Sequence, residues 1–281
     1  MNGSGTPVPD PALGTLLARA NVQGWWGAER VASARHRVYR VQSREGALLA
    51  RLAPLAPRFA TSIADEGRVL ARVAAVGIAP ELLYFGEDGG LVTRWIDGPA
   101  WSPAELGCAA GAEALARKLE MLHSVELDMP VFDPVRAARA YSEALPAAVR
   151  DTPAIAVRLA ALARELEDFV SDADCSRLAH NDLVPANVVG WPEPMLVDWE
   201  YAAPFDRRFD LACITALTPL AGRERDRLLA ANGLLPAARR ELADVERLVR
   251  LLSWSWALAE RARDPAAPHP REWLNRLERA L

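Results

Sequence analysis

The stretch His180-Asn-Asp-Leu-Val-Pro-Ala-Asn187, with Asp198 shortly after it, holds the side chains whose types and spacing could do chemistry. Asp182 precedes Asn187 by five positions, and Asp198 closes a short apolar run beyond Gly190-Trp-Pro-Glu-Pro194. A carboxylate on a loop can orient a hydroxyl and take its proton. An amide oxygen and a second carboxylate are hard oxygen ligands of the kind Mg²⁺ takes beside phosphate. Together these are the parts needed to move a phosphoryl group from a nucleotide to an alcohol. Any one of these residues alone would be read as a turn cap; the whole set carries the chemical reading. Two prolines remove ladder donors from the intervening turn, so Val188-Val189 and Met195-Leu196-Val197 are expected as short strands on either side. That hairpin would set Asn187 and Asp198 side by side.

His180–Asn187, Val197-Asp-Trp-Glu-Tyr-Ala202 and Phe209-Asp-Leu-Ala212 resemble the choline/ethanolamine kinase branch of the aminoglycoside phosphotransferase-like kinases, over roughly residues 25–260. The resemblance implies an α+β, two-lobed protein-kinase-like fold: a small antiparallel-sheet lobe with one helix, then a larger, mainly helical lobe. It implies ATP as co-substrate, Mg²⁺ as cofactor, and a small hydroxylated acceptor. Asp182 would be the base, with Asn187 and Asp198 on the metal and Glu200 either ligating it through water or facing the substrate. His180 is expected to anchor the loop. Asp210 would brace that loop by family analogy; by local physics alone it could cap the helix that follows.

Positioning these groups requires a frame. Arg37–Gln42 alternates like a strand and Gly46–Leu52 answers it across a polar turn. Thr61–Val73 carries a helical apolar stripe of Ile63, Val69, Leu70 and Val73. Leu82–Phe85 and Leu91–Ile96 read as further strands, and Thr93, Trp95 and Ile96 lead into Asp97-Gly98, which resembles the hinge that presents backbone groups to adenine. The expected division is a poorly defined tail or first helix over 1–24, a nucleotide-binding lobe over 25–98, and a catalytic and acceptor lobe over 99–281. Met1–Pro11 reads as a loose tail without the basic and apolar regions of a secretory signal. Ala104–His123, Ala137–Leu145, Ala154–Val170, Asp210–Leu217 and Ala237–Arg263 read as helices.

Lys118 is the only lysine among 33 basic residues, and it falls in a helical pattern, not on a strand that could reach phosphate. Arg51 is therefore the candidate phosphate-binding cation, as its strand position also is in the resembling kinases; guanidinium offers two donors to phosphate and stays charged. Glu66, in the first turns of the expected helix, is its natural partner. Where such kinases carry a glycine-bearing turn, this chain has Val31-Ala-Ser-Ala-Arg-His-Arg37. Arg35, His36 and Arg37 could substitute side-chain donors for backbone amides, or the loop could stay clear of nucleotide.

For a cationic acceptor the candidates are Trp199, Glu200, Tyr201, Trp254 and Trp256, since aromatic faces and carboxylates attract ammonium groups. Trp254 and Trp256 are two apart, so on a helix they point in different directions and at most one lines a shared pocket. Leu211–Leu220 contains no charged residue, whereas choline kinases often place an acid there. Thiamine kinase-like enzymes, which share the Asp-Trp-Glu-Tyr-Ala pattern, are the nearest enzyme alternative. Aminoglycoside kinases fit less well because a polycation pocket should be richer in acids, and Asp198-Trp-Glu departs from the protein-kinase pattern. A catalytically silent kinase-like binding module is the alternative of another class.

A net charge of −4 and a pI of about 5.7 argue against nucleic acid or anionic membrane as a partner. No apolar run reaches the length of a membrane span. Cys108, Cys175 and Cys213 are scattered without metal-ligand spacing, which suits reduced buried thiols in a cytoplasmic protein. The oligomeric state is not legible.

Overall fold

The computed structural model describes residues 10–33, 36–54, 61–234, 238–266 and 268–281. In chain order the elements begin with α1 (Pro11–Arg19), β1 (Gly27–Val31), β2 (Val38–Ser43), β3 (Gly46–Arg51), α2 (Ile63–Ala75), β4 (Leu82–Phe85) and β5 (Leu91–Arg94). There follow α3 (Pro103–Gly107), α4 (Ala109–His123), α5 (Pro134–Glu143), α6 (Ala147–Arg150), α7 (Pro153–Asp172) and β6 (Leu178–Ala179). A 3₁₀ turn (Pro185–Asn187) leads to β7 (Val188–Val189), β8 (Met195–Leu196) and β9 (Ala203–Pro204), then α8 (Arg208–Leu217), α9 (Gly222–Ala231), α10 (Arg239–Arg263) and α11 (Pro268–Ala280). The chain divides into two compact units, Met1–Pro99 with Val189–Glu200, and Ala100–Val188 with Tyr201–Leu281.

The first unit is built on an antiparallel five-stranded sheet in the order β1-β2-β3-β5-β4. Strand β1 pairs with β2 along its whole length, Gly27 facing Gln42 and Val31 facing Val38. Sequence reading did not anticipate it: β1 is an edge strand with Glu29 and Arg30 exposed, so it lacks the apolar alternation that marks a strand. The expected loose tail is corrected in part. Asp10 caps α1 by accepting from Ala12 N at 3.0 Å, and Pro11 occupies the first helical position, where its missing N–H costs nothing. Leu13, Leu16 and Leu17 of α1 pack on Tyr39, Val41, Leu48, Ala50 and Val92 of the sheet. Residues 1–9, the remainder of that tail, lie outside the described residues.

The second unit is mainly helical. The single helix expected over Ala104–His123 is broken at Cys108, whose extended backbone (ψ 160°) ends α3 and caps α4. Its sulfur accepts from Gly111 N at 3.3 Å. A Cβ at Gly111 would lie 1.8 Å from the Glu105 carbonyl oxygen, so only glycine permits that close approach. Helix α5 starts at Pro134, three residues before its expected start, because Asp133 caps it, and it ends ahead of Pro146. Helix α10 packs against α8, α5 and α7. Phe205 and Phe209 meet edge-on at 5.3 Å in the interior, with Phe132 against both. Of the three free cysteines only Cys213 is buried; Cys108 and Cys175 are half-buried, which corrects the expectation for those two. Among the described residues no helix is long and apolar enough to cross a membrane.

Candidate active site

In the second unit the chain leaves β6 and reverses at Asn181, where φ is +62°. The turn is held from behind by Asp210, fully buried in the first turn of α8. Its Oδ1 accepts from Asn181 N at 2.8 Å and its Oδ2 from His180 N at 3.1 Å, while His123 Nε2 at the end of α4 stands 2.9 Å from Oδ2. Burial opposes ionisation of this carboxyl, but the His123 bond and charge, with the His180 charge and backbone bond, outweigh it and hold it below the usual carboxylate range. Asp210 is thus a brace and not the helix cap: Arg207 occupies the cap position without a side-chain bond. His180 is completely buried beside it.

Asp182 follows, half-buried, and the 3₁₀ turn brings Asn187 back over it. Asn187 Nδ2 donates to the Asp182 carbonyl at 2.8 Å, so the end of the amide left for a ligand is its oxygen. Asn181 is the residue that sequence reading passed over. Its Nδ2 donates to the Tyr201 carbonyl at 3.1 Å and the Ala203 carbonyl at 3.2 Å, joining the loop to the segment entering β9. A signal existed, since asparagine is among the residues that adopt the left-handed region most readily.

In the first unit Arg51, at the end of β3, is almost wholly buried. Its Nη2 donates to Glu66 Oε1 at 2.7 Å and to the Gly89 carbonyl at 3.3 Å, and its Nη1 lies 3.8 Å from Asp198 Oδ1. Ser62 caps α2 and so sets Glu66 one turn into the helix, facing the sheet. Asp198 itself has φ +65°, a conformation that costs a non-glycine residue about 1 kcal/mol or more. Thr93 is buried in β5 between Leu49 and Leu82. The Trp95 N–H continues the ladder to the Ala47 carbonyl at 3.0 Å, so it offers adenine no backbone donor; the Arg40 guanidinium lies 4.9 Å from the centre of its ring. Ile96 is half-buried and its Cγ2 lies 3.1 Å from where a Cβ on Gly190 would stand. Of the loop proposed to replace the glycine turn, Arg37 is engaged by Asp10 at 2.6 Å, His36 N bonds the Ser33 hydroxyl at 3.2 Å, and Arg35 lies outside the described residues.

The acceptor candidates separate. Trp199 is interior and its indole N–H donates to the Leu196 carbonyl at 3.1 Å, so it fixes the turn after β8 and has no donor for an acceptor. Trp254 is also interior, and the Arg158 guanidinium already lies 5.5 Å from its ring centre, which opposes a second cation there. Trp256 is half-buried, Glu200 is buried, and the half-buried Tyr201 receives a hydrogen bond from the Tyr141 hydroxyl at 3.2 Å.

Magnesium suits the donors present. Asp198 Oδ1 is buried and accepts no hydrogen bond, the Arg51 Nη1 standing 3.8 Å away, and a buried carboxylate oxygen in that state gains from a closer cation. Among the described residues no three of His, Cys, Asp and Glu gather as a metal cluster. A site completed by phosphate oxygens and water needs none.

The model of the phosphotransferase enzyme family matches residues 27–245. Among solved structures, a choline/ethanolamine kinase family protein from Mesorhizobium loti is 23% identical with a TM-score of 0.70, covering 95% of this chain and 90% of its own. The choline kinase LicA from Streptococcus pneumoniae, also solved in complex with AMP, is 17% identical with a TM-score of 0.78, covering 95% of each chain. The macrolide 2'-phosphotransferase MphH from Brachybacterium faecium is 18% identical with a TM-score of 0.58, covering 94% and 96%. No curated protein matches the chain at a significant level. The α+β architecture is therefore the protein-kinase-like one.

Proposed function

This chain belongs to the phosphotransferase enzyme family, and we propose that it is an ATP- and Mg²⁺-dependent kinase acting on the hydroxyl of a small cationic alcohol, choline or a related amino alcohol. The observation that carries the reading is the closed Asp182–Asn187 loop. The Asn187 amide is tied to the Asp182 carbonyl at 2.8 Å, and Asp210 holds the two preceding backbone N–H groups. A rigid loop of this kind holds a carboxylate and an amide oxygen in fixed places, which is what orientation of an alcohol beside a nucleotide requires.

In this reading the acceptor hydroxyl oxygen bonds to the γ-phosphorus as the bond from that phosphorus to the β,γ-bridging oxygen breaks. The hydroxyl proton passes to Asp182, and ADP leaves. Arg51, held by Glu66, binds the phosphates as a fixed cation. Asn187 and Asp198, with Glu200 directly or through water, would hold Mg²⁺, which neutralises charge developing on the phosphates. Thr93, Trp95 and Ile96 lead to the adenine hinge, to which Trp95 brings a carbonyl only. Tyr201, Glu200 and Trp256 remain for the cationic part of the acceptor. The likeness to a choline/ethanolamine kinase family protein and to a choline kinase supports this acceptor class, and the uncharged Leu211–Leu220 leaves thiamine-like alcohols as the second choice within it.

The test is Mg²⁺-dependent release of ADP from ATP against choline, ethanolamine, thiamine, aminoglycosides and simple sugars, with Asp182→Ala alongside. Turnover of an amino alcohol that the substitution abolishes is the expected result. No turnover together with no nucleotide binding by calorimetry would overturn the kinase reading in favour of a silent binding module.

A further inference from the structure

Strands β6 and β9 form a two-residue antiparallel ladder, Leu178 facing Pro204 and Ala179 facing Ala203. Beyond Ala179 the ladder cannot continue through the main chain, because the His180 and Asn181 N–H groups are both committed to Asp210. The Asn181 side chain takes over. Its Nδ2 donates to the Ala203 carbonyl at 3.2 Å and the Tyr201 carbonyl at 3.1 Å, with a longer contact to its own strand at the Ala179 carbonyl, 3.5 Å. The amide is buried, and its Oδ1 accepts no hydrogen bond, so the donor end does the holding. Asn181 is bonded covalently to Asp182 on one side and tied through this amide to Tyr201 on the other.

We propose that Asn181 is a positioning residue for the acceptor: its amide sets the separation between the Asp182 base and the Tyr201 wall, and thereby the acceptor KM. The inference rests on the reading above that Asp182 is the base and Tyr201 flanks the acceptor. The backbone and side-chain roles of Asn181 separate cleanly. Glycine keeps the left-handed backbone at no steric cost and removes only the amide. Alanine removes the same amide and adds the cost of a Cβ at φ +62°. Aspartate keeps the shape but aims a carboxylate at two carbonyl oxygens.

Asn181→Gly, Asn181→Ala, Asn181→Asp and Asp182→Ala are compared with wild type by steady-state kinetics on the full chain, varying acceptor and ATP separately. Loss of two hydrogen bonds from a positioned segment predicts that Asn181→Gly raises the acceptor KM about tenfold. The ATP KM should stay unchanged and kcat should fall less. Asn181→Asp should do the same or worse, and Asn181→Ala should match the glycine variant in KM while melting lower. An Asn181→Gly enzyme with unchanged acceptor KM, or with both KM values raised alike, overturns the proposal. Should Asp182→Ala retain turnover while Asn181→Gly still raises the acceptor KM, the base assignment fails and the positioning role stands. An inactive Asp182→Ala beside an unaltered Asn181→Gly overturns the positioning role alone.

Discussion

Arg51 and Glu66 form an ion pair at 2.7 Å with both side chains almost fully removed from water, at 7% and 1% exposure. Removing one partner from such a pair leaves a buried charge without compensation, at a cost of about 3–5 kcal/mol. Glu66→Ala should therefore lower the unfolding free energy read from denaturant titration by up to that much, since Arg51 keeps the Gly89 carbonyl and the more distant Asp198. Replacing both with apolar residues, Arg51→Met with Glu66→Leu, should recover a large part of it. If the double variant is as unstable as the single one, the pair is not what sets the cost.

Arg51→Lys tests a different property. Lysine keeps the charge but loses the forked geometry that spans Glu66, the Gly89 carbonyl and Asp198 from one head group. The expected outcome is an ATP KM raised about tenfold with the acceptor KM unchanged, read from initial rates.

Asp182→Ala removes the proposed base without touching the Asn187 bond, which is made to the main-chain carbonyl. The kcat should fall by about a hundred- to ten-thousand-fold, while nucleotide affinity by calorimetry stays within about twofold of wild type.

Asp210 predicts a pH dependence. Its folded pKa lies below the ordinary carboxylate value, so the unfolded chain binds the proton more readily than the folded one. The stabilisation from ionised Asp210 is present above about pH 4 and is lost as pH falls through the depressed folded value. Melting curves between pH 3 and 7 should show a steep acid limb that Asp210→Asn flattens, with the variant less stable at neutral pH by about 2–3 kcal/mol. A wild-type-like acid limb in the variant would remove Asp210 from this account.

Cys213 is completely enclosed, and burial, followed by the nearby Asp182 and Asp210 charges, pushes its thiol well above the usual range. Its sulfur lies 3.8 Å from the Asn181 carbonyl. In the native protein it should resist a thiol reagent that labels Cys108 and Cys175, and react only in denaturant. Mass spectrometry of the labelled peptides reads this directly.

The local signals in the chain determined a great deal. The spacing of Asp182, Asn187 and Asp198 and the strand–helix order that sets Arg51 opposite Glu66 are short-range features, and short-range features are written in neighbouring residues. Tertiary structure decided what depends on distant partners. Whether Asp210 capped its helix or braced the loop turned on two N–H groups about thirty positions earlier and on His123 in another helix. Trp254 is interior, with the Arg158 guanidinium of α7 5.5 Å from its ring centre, which no spacing within α10 could reveal. Strand β1 was invisible because an edge strand needs no apolar alternation, and Asn181 because its amide acts on carbonyls some twenty residues away. A residue type restricts the bonds a side chain can make, but the fold selects which of them is made, since only packing brings the second group within about 3 Å.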